Sequence, residues 1–310
     1  MKRLFSARIR DFLRTAKNGG MASAWGYLWS ARVHASLAPL ARSFPLEPVE
    51  VHILTGSSRL TMALWMIASW ILTTERSWKF VIHDDGTFLS GEADQLAKLL
   101  PNCRVILHTE STRQIMQLLD AYPLCLKCRN LHPLSKKLFD FPLLAAGDRF
   151  FSIDSDVLFF KKPGRLIQWC AEAKPGLIFM EDVKDASLLS EDEVQQLFNR
   201  PLIHKVNTGI IAMPKAALSL EAMECCLAKT RLLNSDPWYV EQTLYALLGS
   251  IYGHAELLPK EYVMSLDPVC PSNAFARHYV GAVRQYFYSE GIPWVVKNLQ
   301  RQKRASAINN

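Results

Sequence analysis

The sequence has no Gly-x-Gly-x-x-Gly after any segment that reads as a strand, and it has no Walker lysine loop. A dinucleotide fold of the usual kind and a P-loop enzyme are therefore poor readings, because both hold phosphate on a glycine-rich turn. Long apolar runs are missing as well. The most hydrophobic stretch, residues 60–72, is 13 residues long and contains Thr61 and Ser69, which suits a buried helix and falls short of a bilayer. No extended apolar stretch follows Lys2 and Arg3, so a secretory leader is not expected. The seven cysteines show no disulfide-framework spacing, and Cys125-x-x-Cys128 has no second pair to complete a zinc site. That usage suits a reducing compartment, and cytoplasmic residence is the expectation.

What is present describes a globular enzyme-sized chain. Its 310 residues, 49% hydrophobic and 21% charged, give ample material for one large domain or two modest ones. The formal charge of +7 is unevenly placed. Residues 1–45 carry eight basic side chains against Asp11 alone, and the rest of the chain holds 28 of each sign. A neutral body offers nothing general to a polyanion, which argues against nucleic-acid binding. Residues 1–48 therefore read as a basic helical extension and residues 49–310 as the main domain. Phe5, Ile9, Phe12, Leu13 and Ala16 fall at helical spacing over 2–17, with Arg8, Arg10, Arg14 and Lys17 on the other faces. Such a helix suits an anionic membrane surface, on the inner face of the membrane, and reads equally as a helix docked on its own domain. Gly19-Gly20 is expected to end it, Trp25, Tyr27 and Trp29 extend an interfacial patch, and Pro39, Pro45 and Pro48 mark a linker.

From Val49 strands alternate with helices. The pattern predicts strands at 49–55, 78–83, 103–108 and 150–153, and helices near 59–73, 91–100, 111–120 and 134–146. A serine of Gly56-Ser57-Ser58 is expected to cap the first of these helices. This βαβαβ order predicts an α/β fold with a mostly parallel sheet, helices on both faces, and a ligand crevice at the carboxyl ends of the strands. Strands at 176–180, 206–213, 255–258 and 277–280, and helices at 216–229 and 238–248, make a less regular second half.

Asp154-Ser155-Asp156 lies between two apolar runs, Phe150 to Ile153 and Val157 to Phe160. Unpaired charge is costly inside such a segment, so a divalent cation at a sheet edge is the natural partner for the two acids. His278-Tyr279-Val280-Gly281-Ala282-Val283-Arg284 follows 122 residues after Asp156. His278 offers a nitrogen to a metal, Gly281 lets backbone approach a ligand, and Arg284 binds phosphate oxygens in pairs. A satisfied structural histidine is the competing reading of His278. Lys137-Leu138 precedes Asp154 by 17 residues, and a solvated lysine is the ordinary alternative there. Asn207 and Gly209 in Val206-Asn207-Thr208-Gly209-Ile210 offer amide hydrogen bonds and room to a hydroxyl-rich ligand, or form a polar turn into a strand. Thr55-Gly56 and Asp84-Asp85 sit at strand ends as candidates for ribose and base contacts, and Asp85-Gly86 also reads as a turn.

Taken in order, Lys-Leu, Asp-x-Asp, Asn-x-Gly, acidic-Gln and His-x-x-Gly-x-x-basic resemble the glycogenin and bacterial lipopolysaccharide galactosyltransferase family over about residues 49–290. That resemblance implies a GT-A (Rossmann-like) fold with a smaller mixed C-terminal sheet, a nucleotide diphosphate-sugar donor and a divalent cation. It implies that Asp154, Asp156 and His278 ligate Mn²⁺ or Mg²⁺, with mixed oxygen and nitrogen ligation favouring Mn²⁺. Lys137, Ser155, Gly281 and Arg284 would then hold the donor, Asn207 and Gly209 would border the transferred sugar, and Glu241-Gln242 would face the reacting centre. Arg284 stands where the family usually has lysine and is not followed by the tryptophan that often comes after it there (the chain reads Arg284-Gln285-Tyr286-Phe287), and Glu241 stands where aspartate is more frequent. The function expected is sugar transfer, retaining by family likeness, to a saccharide or lipid-linked acceptor. Rival readings are a sugar nucleotidyltransferase, for which Gly56-Ser57-Ser58-Arg59 is a thin signature loop, and a non-catalytic saccharide-binding scaffold with a decayed site.

Overall fold

The computed structural model describes residues 2–308, with the side chains of 2–8, 10, 11, 31, 35 and 302–308 outside the description. Helices α1 (Lys2–Ser30) and α2 (His34–Arg42) precede β1 (Leu46–Thr55). Then come α3 (Leu60–Thr74), β2 (Ser77–Asp84), α4 (Glu92–Leu99), β3 (Cys103–Ile106), α5 (His108–Leu118), α6 (Pro123–Leu131), α7 (Lys136–Leu144) and β4 (Arg149–Ile153). The second half runs β5 (Val157–Phe159), α8 (Gly164–Trp169), β6 (Leu177–Glu181), α9 (Glu191–Phe198), β7 (Val206–Pro214), α10 (Leu220–Lys229) and α11 (Pro237–Tyr252). It closes with β8 (Ala255–Leu257), β9 (Tyr262–Met264), β10 (Ala276–His278) and α12 (Ile292–Ile308).

Seven strands in the order β3-β2-β1-β4-β7-β6-β8 form the main sheet, and β5-β10-β9 form a small mixed one. Neighbours in the main sheet are parallel except at β7, which runs against both β4 and β6. Parallel pairing needs crossover helices, and these cover both faces. The pleat then sorts side chains: Phe151, Ile153, Ile210 and Ala212 join the cluster around Trp65 and Trp70, while Phe150, Ile211 and Met213 join the one around Tyr245 and Leu247. This is the mostly parallel α/β architecture that the alternating pattern predicts. Its carboxyl ends carry Thr55, Asp84 and the turn after β4, where ligand sites of such sheets lie.

The N-terminal region differs in part from expectation. Gly20, with φ 69° and a non-helical backbone, ends the first helical segment as expected, and a second segment runs on to Ser30 within α1. Pro39 lies inside α2, and Pro48 lies in β1 at a register shift between Glu47 and Glu50, where its missing N–H costs no ladder bond. No linker separates this region from the domain. Val33, Leu37, Leu40 and Ala41 are buried in the same cluster as Trp65, whose indole N–H donates to the Ser30 carbonyl at 2.9 Å. From Ser23 onward the region packs on the domain. The side chains of Phe5, Arg8 and Arg10 lie outside the described residues.

Other boundaries move by a few residues. Helix α3 starts without a serine cap, because Ser57 Oγ instead donates to the Thr87 carbonyl at 2.6 Å. His108, expected at the end of a strand, opens α5. Helices α6, α8, α9 and α12 and strands β5 and β9 have no counterpart in the predicted pattern; for α9 the capping box of Ser190 and Glu193 is a readable signal.

Candidate metal and donor site

Two elements bring the acids forward. Strand β4 ends at Ile153, the turn presents Asp154 and Asp156, and β5 carries the chain away in the small sheet. Backbone bonds hold that turn: Asp154 N–H donates to the Gly209 carbonyl at 2.9 Å and Tyr279 N–H to the Asp156 carbonyl at 2.8 Å. Strand β10 pairs with β5 so that His278 lies opposite Val157. The result is a convergence of three atoms. His278 Nε2 is 3.3 Å from Asp156 Oδ1 and 3.6 Å from Asp154 Oδ2. An octahedral ion with bonds of about 2.1 Å spaces adjacent ligands about 3 Å apart, so the donor set fits a divalent cation.

The rest of each group is already engaged, which fixes which atoms face the ion position. Asp154 Oδ1 takes the Lys137 ammonium at 2.7 Å, and Asp156 Oδ2 takes the Arg284 guanidinium at 2.9 Å. His278 Nδ1 lies 2.9 Å from Asn207 Oδ1, an atom that also accepts the Gly209 N–H at 3.0 Å. Asn207 Nδ2 donates to Asp182 at 2.7 Å, so the amide orientation follows from its neighbours. Because Oδ1 only accepts, Nδ1 of His278 carries a proton, and Nε2 is the nitrogen turned toward the two acids. A Cβ on Gly209 would collide with the same imidazole. Asn207 and Gly209 thus seat the histidine. Asn207 is buried with its amide oxygen and nitrogen both engaged by protein groups.

Electrostatics agree with this wiring. Burial alone would raise Asp156, but hydrogen bonds and charge from His278 and Arg284 hold it well below the usual carboxylate range. Burial lowers His278, and the Asp156 hydrogen bond with the two aspartate charges outweighs it, leaving a net upward shift. Lys137 is buried too, yet Asp154 and Glu241 push its ammonium above the ordinary value. Glu241 meets Lys137 at 2.8 Å, and burial raises its carboxyl. With the Thr208 carbonyl at 3.1 Å, Lys137 is enclosed by protein acceptors. It braces Asp154 instead of reaching into open space. Gln242 is buried beside this pair with its Oε1 unpartnered among the described residues.

A second group sits at the ends of β1 and β2. Asp84 Oδ1 accepts the N–H groups of Gly86, Thr87 and Phe88 at 2.8, 3.0 and 3.1 Å, and Oδ2 accepts that of His108 at 3.2 Å. Asp85 accepts from the Thr87 hydroxyl at 2.6 Å, and a Cβ on Gly56 would strike this turn. Thr55 is buried. Asp84 therefore builds its loop through backbone N–H groups, and Asp85-Gly86 lies in the turn. Ser155 is buried, whereas Gly281 is exposed and a Cβ there would meet nothing within 4 Å. Lys136 carries no signal of its own in the sequence. It donates to the Asp84 carbonyl at 2.6 Å and to His108 Nδ1 at 2.6 Å, while its neighbour Lys137 serves the acids.

Two cavities border the sheet. One of about 490 Å³ lies at the amino end of β4 and holds none of the expected site residues. The other, about 300 Å³, includes Gly281 and Arg284 and so adjoins the aspartates.

This fold is shared with glycosyltransferases of known structure. Among solved structures, the apo glycosyltransferase GlyE of Streptococcus pneumoniae TIGR4 superposes with a TM-score of 0.53 at 12% identity over 84% of this chain and 64% of that one. The bifunctional glycosyltransferase WbbM gives 0.50 at 14% identity over 81% of this chain, which spans about half (49%) of that protein. The galactosyltransferase LgtC, solved with donor and acceptor sugar analogs, gives 0.41 at 13% identity over 82% of this chain and 96% of that one. No family model and no curated protein sequence matches the chain. The likeness is one of fold.

Proposed function

We propose that this protein is a divalent-metal-dependent glycosyltransferase, moving a sugar from a nucleoside-diphosphate donor to a saccharide or lipid-linked acceptor with retention. The convergence of Asp154 Oδ2, Asp156 Oδ1 and His278 Nε2 on one point carries this reading. Mn²⁺ fits the mixed nitrogen and oxygen set best, with Mg²⁺ the second choice. A bound ion there supplies positive charge to the diphosphate as the anomeric bond breaks. Arg284, fixed on Asp156 and reaching the adjoining cavity, adds a permanent cation on the same side. Lys137 holds Asp154 and Glu241 in place.

Retention is supported by the state of the carboxylates. Glu241, expected to face the reacting centre, is buried and tied to Lys137, so it is not placed as a base for an acceptor hydroxyl. The leaving diphosphate then receives the acceptor proton. A decayed scaffold would have no reason to keep three ligands and the Asn207–Asp182 brace behind them.

The lipid-linked acceptor draws support from α1. Met21, Trp25, Leu28 and Trp29 lie on one exposed face of its second half, and Arg32 stacks on Trp29 at 3.8 Å. Apolar side chains beside cations suit an anionic headgroup layer, consistent with a cytoplasmic protein peripheral to the inner face of the membrane. No described helix is long and apolar enough to cross a membrane.

Donor hydrolysis by Asp156→Ala tests the reading. Turnover should fall by about a hundredfold or more, as for loss of a metal ligand and its stabilised charge, with the circular dichroism spectrum unchanged. Unaltered turnover would refute it.

A further inference from the structure

A second charged cluster lies away from the aspartates, where the loop after β6 and the start of α9 meet the chain entering β7. His204 stands there half exposed, with an acid on each side of its ring. Its Nδ1 is 2.6 Å from Asp185 Oδ2, and its Nε2 is 2.7 Å from Glu191 Oε1. A neutral imidazole donates from one nitrogen only, and an ionised carboxylate only accepts, so the two contacts together require the imidazolium. Asp185 from the loop and Glu191 from α9 are the charged groups that face the ring. Lys205 beside it turns to Glu181 at 3.6 Å, and α11 meets the segment through the neutral Ser250, whose hydroxyl accepts the Ile203 N–H at 3.0 Å.

Exposed ion pairs usually contribute little, because two mobile side chains must be ordered to meet. Here the backbone orders the acids beforehand. Glu191 Oε2 accepts the Leu202 N–H at 2.9 Å, and Asp185 Oδ1 accepts those of Ser187 at 3.1 Å and Lys205 at 3.3 Å. Lys205 has a φ of 55°, a left-handed conformation that costs a side-chain-bearing residue energy and is kept by the bonds around it. The loop over 183–190 lies against α11, where the Leu188 N–H donates to Thr243 Oγ1 at 2.9 Å, one residue beyond Gln242. Val183, Lys184 and Leu188 are exposed, so the loop has little apolar anchorage beyond Ala186 and Leu189.

We propose that His204 is a pH-dependent latch: its imidazolium ties the 183–190 loop and α9 to the start of β7, and loss of its proton frees the loop from α11. Hydrogen bonds to Asp185 and Glu191 raise the His204 value above its ordinary 6.5, with partial burial opposing them. A group raised in the folded chain contributes fully below its unfolded value, and that contribution is lost as pH rises through the folded value. The latch is therefore engaged on the acid side and released on the alkaline side. Release uncovers Thr243 and, next to it, the stretch of α11 that carries Glu241 and Gln242, so the loop gates one flank of the candidate site. The latch itself needs neither metal nor sugar, and its test is independent of the glycosyltransferase reading.

Hydrogen exchange of the 183–190 amides, followed by mass spectrometry in the full chain and corrected for intrinsic exchange rates, reads the latch. Wild-type exchange there should quicken about tenfold or more between pH 6 and pH 9, as bonds to a charged group are lost. His204→Gln has no cation to lose and should exchange fast at both pH values, while His204→Arg, always charged, should stay slow at both. Asp185→Asn should move the step to lower pH, and it takes the place of the glutamine variant if that one does not fold. A slow loop in His204→Gln at pH 6, a step that survives in His204→Arg, or no step in the wild type overturns the latch. Titration of the His204 ring by nuclear magnetic resonance should give a midpoint above 6.5, and a midpoint at or below that value overturns it as well.

Discussion

Asn207 shows how much of a metal site lies behind its ligands. Its carboxamide joins Asp182, Gly209 and His278, so that one amide sets the tautomer and the angle of an imidazole 71 residues away. Asn207→Ala, or Gly209→Ala through its clash with the ring, should lower Mn²⁺ affinity about 10–100-fold while Asp154 and Asp156 stay intact. Titration calorimetry reads this directly, and unchanged affinity would show that the brace is idle. Lys136 offers a pH test. Burial is the main reason its ammonium falls from 10.5 to about 8, with Arg129 adding to the drop and Asp140, Asp84 and Asp85 opposing it. Between those values the unfolded chain holds more protons than the folded one, so stability gains as pH rises through that window. Against Lys136→Met, the wild type should gain up to about 1.4 kcal/mol per pH unit there, measured by urea unfolding at pH 7, 8, 9 and 10. Legibility is uneven at this scale. Candidate metal ligands announce themselves by type and context, as Asp154, Asp156 and His278 do. Bracing residues do not, because Asn207 acquires its partner only through sheet order, and Asp84 is spent on backbone N–H groups that no side-chain pattern reveals.

Among the elements, α1 departs furthest from what periodicity suggests. Two adjacent glycines signal a stop, and the backbone does leave the helix at Gly20, but a second helical segment follows at once and Gly19 makes room for Gln285. Prolines at 39 and 48 signal a linker, yet a short packed helix and a bulged strand absorb them. Local rules predict what the backbone disfavours; tertiary packing decides whether the cost is met. The main strands are easier to read, since continuous runs of Val, Ile and Phe have few other uses. Removing residues 1–45 would strip Val33, Leu37 and Leu40 from the core, so it is a poor probe of membrane association. Paired Trp25→Glu and Trp29→Glu changes are cleaner. They should cut cosedimentation with anionic vesicles about tenfold or more and leave the melting temperature close to wild type, since both side chains are exposed. Equal cosedimentation would remove the membrane from the functional reading.

For the whole molecule, the two apolar clusters flank one sheet, and the site closes only where the large and small sheets meet at the Asp154–Asp156 turn. A ligand that bridges them should stabilise the fold as a unit. Mn²⁺ with a nucleoside diphosphate at a hundred times its dissociation constant should add about 2.7 kcal/mol, and the nucleotide without metal much less. Differential scanning fluorimetry across nucleotides would show it and identify the base at the same time. No shift with any nucleotide would count against a sugar-nucleotide donor.

Lys136 and Lys137 open α7 side by side, one anchoring the Asp84 loop and the other the Asp154 turn. A single-residue insertion in the preceding 132–135 turn would rotate the helix by about 100° and hand each loop the wrong cation. Drift in length, tolerated in most surface connections, is therefore barred here, and the two halves of the cleft must evolve in step.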